Sequence, residues 1–177
     1  MNKIKLPKEI SVVLNWDERE TNGEKFDLDL MLFSLNTDKF VISNEHFIFF
    51  NNPHSKCKSI ILENQSESGS SLEDEKIKIN FTSLKEKISY LDILVSIHDD
   101  SSKNFGQVNN ATISIIGRKK LVLYEENLYE EFSSASFYGL RLQKIGSEWW
   151  LVKCGPFENK SLEQIVKLYG VSVKKEV

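Results

Sequence analysis

Two aspartates separated by one residue, Asp27 and Asp29, are the side chains of this sequence best placed to do chemistry. They lie in Phe26-Asp27-Leu28-Asp29-Leu30-Met31-Leu32-Phe33, where a period of two puts Phe26, Leu28, Leu30 and Leu32 on one face of a strand and both acids on the other. Alternate residues of a strand have Cα atoms about 6.6 Å apart, so the two carboxylates can converge on one hard cation. Met31 and Phe33 continue the acidic face as apolar residues, which places the acids at the rim of a covered surface. A calcium ion needs more oxygens than one strand supplies. The run Glu73-Asp74-Glu75, closing a polar stretch over 64–75, is the candidate second source, and Asp99, just past a strand over 90–98, is a further oxygen. Taken alone, the acidic run also reads as a solvated charge cluster.

Other chemistries find little support. Asp27-Leu28-Asp29-Leu30-Met31 lacks the third ligand and the glycine of an EF-hand loop. His98 beside Asp99 forms half of a hydrolytic dyad, but that chemistry requires a nucleophile within hydrogen-bond reach. The two cysteines, Cys57 and Cys154, form no CxxC pair, and His46, His54 and His98 are too scattered for zinc spacing. There is no glycine-rich phosphate loop. The expectation is a binding module and not an enzyme, with reduced thiols.

Strands must position these residues. A second alternating run puts Ile10, Val12, Leu14 and Trp16 on one face of 10–16, and further strand-like runs cover 46–50, 58–62, 76–81, 90–98, 111–116, 121–124, 137–143 and 149–153. Asn, Ser, Gly and Asp clusters separate them, and no helical pattern alternates with them as βαβ units demand, so the fold expected is all-β, an antiparallel β-sandwich of two sheets. One short C-terminal helix is predicted: Ser161-Leu162-Glu163-Gln164 fits a capping box, Leu162, Ile165, Val166 and Tyr169 form its apolar stripe, and Gly170 ends it. It is expected to close one end of the sandwich. The stretch 64–75 reads as a long surface loop.

At 177 residues the chain fits one domain, 1–177, with a core large enough to fold without disulfides. A net charge of −3 creates no field for phosphate backbones, so nucleic acid is not an expected partner. No uncharged run approaches 18 residues and no secretory leader pattern opens the chain, so membrane insertion is not expected and the cytoplasm is.

The ordered blocks Trp16-Asp17, Phe26-Asp27-Leu28-Asp29, Phe47-Ile48-Phe49-Phe50-Asn51-Asn52-Pro53, Asp74-Glu75-Lys76-Ile77, Ile97-His98-Asp99, Asn104-Phe105-Gly106-Gln107 and Phe137-Tyr138-Gly139-Leu140 resemble the TerD family of tellurium-resistance and general stress proteins. The similarity runs on through Glu148-Trp149 and Leu168-Tyr169-Gly170-Val171 and so covers nearly the whole chain. The resemblance implies a two-sheet sandwich that binds Ca2+, with Asp27 and Asp29 as ligands from the strand, Asp74 and Glu75 from the loop and Asp99 as an additional candidate. It also implies a role in stress response without catalysis, and other stress-complex proteins as partners. The sequence departs from the family pattern where the loop should read roughly GDNxTGxGxGDDE: the stretch 63–75 has lost most of those glycines and one aspartate. Fewer glycines restrict the backbone that would turn carbonyls toward an ion, and fewer charged oxygens weaken affinity. The alternative implied is a divergent TerD-like scaffold for protein–protein contact that has weakened or lost calcium binding.

Overall fold

The computed structural model describes residues 2–17, 26–64, 72–85, 87–97, 103–157 and 160–172, with the backbone alone at 64 and 72–74. Among the described residues, strands β1 (Ile4–Leu6), β2 (Glu9–Asp17), β3 (Leu28–Leu35), β4 (Phe47–Ile48), β5 (Ile60–Asn64), β6 (Leu72–Asn80), β7 (Tyr90–Ile97), β8 (Thr112–Ile116), β9 (Val122–Asn127), β10 (Phe137–Ile145) and β11 (Glu148–Pro156) form two antiparallel sheets. One sheet has six strands in the order β1-β11-β10-β7-β3-β4; the other has five, β5-β6-β2-β8-β9. A one-turn helix α1 (Leu128–Glu131) follows β9, and α2 (Leu162–Leu168) follows β11.

The period of two decides which side chains meet between the sheets. Ile10, Val12, Leu14 and Trp16 of β2, with Ile77 and Ile79 of β6, face Leu28, Leu30 and Leu32 of β3 across one continuous core. The opposite side chains of the six-stranded sheet are apolar as well. Met31, Phe33 and Leu35 of β3, Leu94 of β7 and Phe137 of β10 pack under Ile165, Val166 and Tyr169 at α2. The helix therefore covers the outer face of this sheet and does not close an end of the sandwich, because that face, apolar along three strands, is what its stripe can bury.

The ends of α2 follow from its sequence. Ser161 Oγ accepts the Gln164 N–H at 3.2 Å, and Gln164 Oε1 accepts the Ser161 N–H at 2.9 Å, completing the capping box. Gly170, at φ 78°, ends the helix: its N–H donates to the Lys167 carbonyl, and Val171 N–H reaches the Val166 carbonyl. That pair of bonds needs a left-handed residue, which glycine supplies without a Cβ clash.

Two expectations change. The run 46–50 was expected as a full strand, but only Phe47 and Ile48 pair, with Phe33 and Leu32. Phe47 instead stacks between Phe33 and Phe49, centroids 4.5 Å away on each side, so ring packing holds this segment more than a ladder does. Glu73, Asp74 and Glu75, expected at the end of a loop, lie on β6, where Glu75 sits opposite Leu14 and Asp74 opposite Asn15. Ile77 and Ile79 pair with Val12 and Ile10 in that ladder, and their alternation extends the strand through the acidic run.

Candidate functional site

The truncation of β4 creates the site. β4 pairs with β3 at Leu32 and Phe33, and among the described residues no strand continues that pairing toward the start of β3, where backbone groups need other partners. Glu75 fills that gap from the other sheet. It occupies a core-facing position in line with Ile77 and Ile79, is 8% exposed, and its Oε2 accepts the Leu30 N–H at 2.6 Å. A buried carboxylate is costly unless hydrogen-bonded, and a short bond from a backbone amide is one of the stronger means of offsetting that cost.

Asp29 precedes Leu30 and stands directly opposite Ser96 of β7, which stands opposite Phe137 of β10. Direct cross-strand neighbours have Cβ atoms about 4.5–5.5 Å apart on one face. Asp29, Glu75 and Ser96 line one cavity of about 340 Å³, whose remaining walls include Met31, Phe47, Phe49, Phe50, Leu162 and Val166. Asp29, Glu75 and Ser96 contribute oxygens, and aromatic and aliphatic side chains form most of the rest of the lining. Nearby, the Trp16 indole N–H donates to the Phe26 carbonyl at 3.1 Å and fixes how the chain enters β3.

Of the five expected metal ligands, Asp29 and Glu75 meet in this cavity. Asp27 is exposed, two residues earlier in the chain, and outside the cavity wall. Asp74 lies on β6 one position before Glu75, its side chain outside the described residues, and Asp99 lies outside them altogether. The last residue of β7, Ile97, pairs with Leu28, so the strand leading to Asp99 ends beside Asp29. Among the described residues, no group of three or more His, Cys, Asp or Glu side chains gathers as a metal site. Among the described residues, the side-chain donors that line the cavity are all oxygen, from Asp29, Glu75, Ser96 and Ser161, which suits a hard cation and not zinc or copper.

A second polar cluster on the same outer face escaped the sequence reading. Asp92 of β7, 5% exposed, accepts Arg141 Nε at 2.8 Å, Arg141 Nη2 at 2.6 Å and the Tyr169 hydroxyl at 2.8 Å. The bonds to Asp92 hold the Arg141 guanidinium more firmly charged than usual. Burial, then the neighbouring Asp92 charge, pushes the Tyr169 phenol well above its ordinary value. Tyr169 is the C-terminal cap of α2 and stacks on Phe33 at 4.2 Å between centroids, so this cluster pins the helix that walls the cavity. The signal was present in the sequence: Tyr90-Leu91-Asp92-Ile93-Leu94-Val95-Ser96-Ile97 carries two polar residues, four apart, on one face of an otherwise apolar strand.

Two packed antiparallel sheets, a helix across the outer face of one, and an acid-lined cavity at the edge between them define a β-sandwich with a polar cavity at its rim. The chain belongs to the TerD domain family, whose model matches residues 2–169. It is 28% identical over 171 residues to the tellurium resistance protein TerD of Serratia marcescens, covering 93% of this chain and 88% of that protein. To general stress protein 16U of Bacillus subtilis (strain 168) it is 29% identical over 172 residues, with the same coverage. The crystal structure of SCO6318 from Streptomyces coelicolor A3(2), a homologue of telluride resistance protein TerD, superposes with a TM-score of 0.68 over 90% of this chain and 94% of that one, at 17% identity, and shares the fold. No helix among the described residues is long and apolar enough to cross a membrane.

Proposed function

We propose that this chain is a non-enzymatic, cytoplasmic stress-response module of the tellurium-resistance type that holds a calcium ion at the rim shared by β3 and β6. The observation that carries the reading is the Glu75 carboxylate reaching from one sheet to the Leu30 N–H of the other, which sets it in one cavity with Asp29. An ion held there would neutralise acids that the sheets bring together, and tie β3 to β6. Asp29 and Glu75 would be protein ligands, with Asp27, Asp74 and Asp99 as the further oxygens the coordination number calls for. The names of the relatives support the stress role.

Thermal unfolding in millimolar calcium against chelator tests the reading, because only the folded state assembles the site. Calcium at about 100 times Kd adds roughly 2.7 kcal/mol of stability, and superimposable curves would defeat the metal reading. A second reading, a divergent scaffold that contacts other stress-complex proteins without metal, is favoured by the loss of glycines from 63–75. Calcium-independent capture of a stoichiometric partner, abolished by Phe50→Ser, would support it, since Phe50 is 65% exposed.

A further inference from the structure

We propose that β9 is a docking edge for a second copy of this chain, which adds its own β9 antiparallel to the first and joins the two five-stranded sheets across a twofold axis. The observation that carries this is how differently the four sheet edges end among the described residues. A free edge presents unpaired N–H and C=O groups, and folded proteins shorten or cover such edges. Here β1 has three residues and β4 has two, and the chain before β5 folds back on it, with His54 bridging Ile61 and the Leu62 N–H donating to the Pro53 carbonyl. β9 has six residues, Val122–Asn127, and among the described residues only β8 pairs with it. At its start Leu121 and Val122 are 62% and 51% exposed.

The sequence of this edge selects its occupant. Arg118-Lys119-Lys120 is basic, Leu121-Val122-Leu123-Tyr124 is apolar and Glu125-Glu126 is acidic. Laid antiparallel on a copy of itself, such a segment sets each basic end against the other copy's acidic end, while the apolar middle meets itself. That match survives a shift of a residue or so in register. Parallel addition would set lysine on lysine and glutamate on glutamate, which destabilises. Among the described residues none of these five charges is in an ion pair; Glu125 accepts the Ser114 hydroxyl and Glu126 the Tyr124 hydroxyl. The lysines also hold their places at a cost. The turn from β8 into β9 puts Lys119 at φ 54° and Lys120 at φ 59°, closed by the Leu121 N–H on the Arg118 carbonyl. Two left-handed residues in a hairpin turn favour Asn-Gly over side chains as long as lysine. Basic residues kept at strained positions beside an open strand edge point to a use for their charge.

Sedimentation velocity of the full chain in chelator, over a concentration series reaching hundreds of micromolar, tests this separately from calcium. A reversible monomer–dimer equilibrium is expected, weakened by high salt because the charges that meet are exposed. K119E/K120E and E125K/E126K should each associate at least about tenfold more weakly than the wild type, since like charges then face each other across the axis. Mixed one to one, the two variants should form a heterodimer about as tight as the wild-type dimer, because each supplies the charge the other lacks, and that recovery also shows both to be folded. Val122→Lys, which puts a charge on the exposed apolar edge, should weaken the dimer while leaving the melting temperature of the monomer near the wild-type value. The proposal is overturned if the chain stays monomeric at every concentration, if either charge-reversed variant associates as tightly as the wild type, or if their mixture associates no more tightly than each alone.

Discussion

Two polar islands sit on the outer face of the same sheet, four residues apart on β7, and they are built in opposite ways. Around Asp92 every strong partner is present: a bidentate guanidinium and a phenol converge on one carboxylate, and stacked rings close over it. Around Ser96 the polar groups line a cavity, which its hydroxyl, Asp29 and Glu75 share with aromatic and aliphatic side chains. A saturated buried network has no bonds left to offer, and this one holds α2 in place; acids that line a cavity can face a ligand. The first island anchors the wall against which the second can bind.

The sharpest way to break that contrast is to open the closed island. Arg141→Met leaves Asp92 buried with only the Tyr169 hydroxyl, and removing one partner of a buried pair costs about 3–5 kcal/mol. Chemical denaturation should show a loss of that size, partly recovered in D92N/R141M, which removes both charges. If Arg141→Met unfolds at the wild-type denaturant concentration, the Asp92 cluster does not anchor α2. The next effect belongs to the rim: Glu75→Ala leaves the Leu30 N–H without its acceptor and should cost about 1–3 kcal/mol, whereas Glu75→Gln keeps an acceptor oxygen and should cost less. Equal losses for the two variants would mean that charge and not the hydrogen bond matters at that position. Ser161→Ala, which removes the helix cap beside the cavity, should cost about 1 kcal/mol by the same measurement.

The residues that the sequence made legible are those whose role is set by strand period alone. Phe26, Leu28, Leu30 and Leu32 all enter the inter-sheet core, Met31 and Phe33 cover the second face, and Asp29 lies at the rim where that coverage stops. The helix was legible from cap to glycine because its signals are local. What was hidden depends on contacts far apart in the chain. Glu75 looked like loop charge because three acids in a row mask the alternation with Ile77 and Ile79. Its role is set by how short β4 is, and β4 is short because Phe47 stacks on rings and does not extend a ladder. The wall under α2 was misplaced for a related reason: an apolar stripe says that a helix is buried, not which sheet face it finds. Ser96 carries no signal of its own; a serine in an apolar strand becomes informative only once its cross-strand neighbour is known to be Asp29.

Asp29→Asn should have the smallest effect on stability and the largest on binding, and that opposition is what separates a site from a structural cluster. Asp29 is half-buried near the start of β3, directly opposite Ser96. Substitution to a near-isosteric amide in chelator should therefore change unfolding free energy by within about 0.5 kcal/mol. The same variant should lose the calcium-dependent stabilisation expected of the wild type, because an amide supplies one neutral oxygen where a carboxylate supplied two charged ones. Comparing its melting curve with and without calcium checks both halves at once. A variant as unstable in chelator as Arg141→Met would make Asp29 part of the scaffold, and the contrast between the two islands would then disappear.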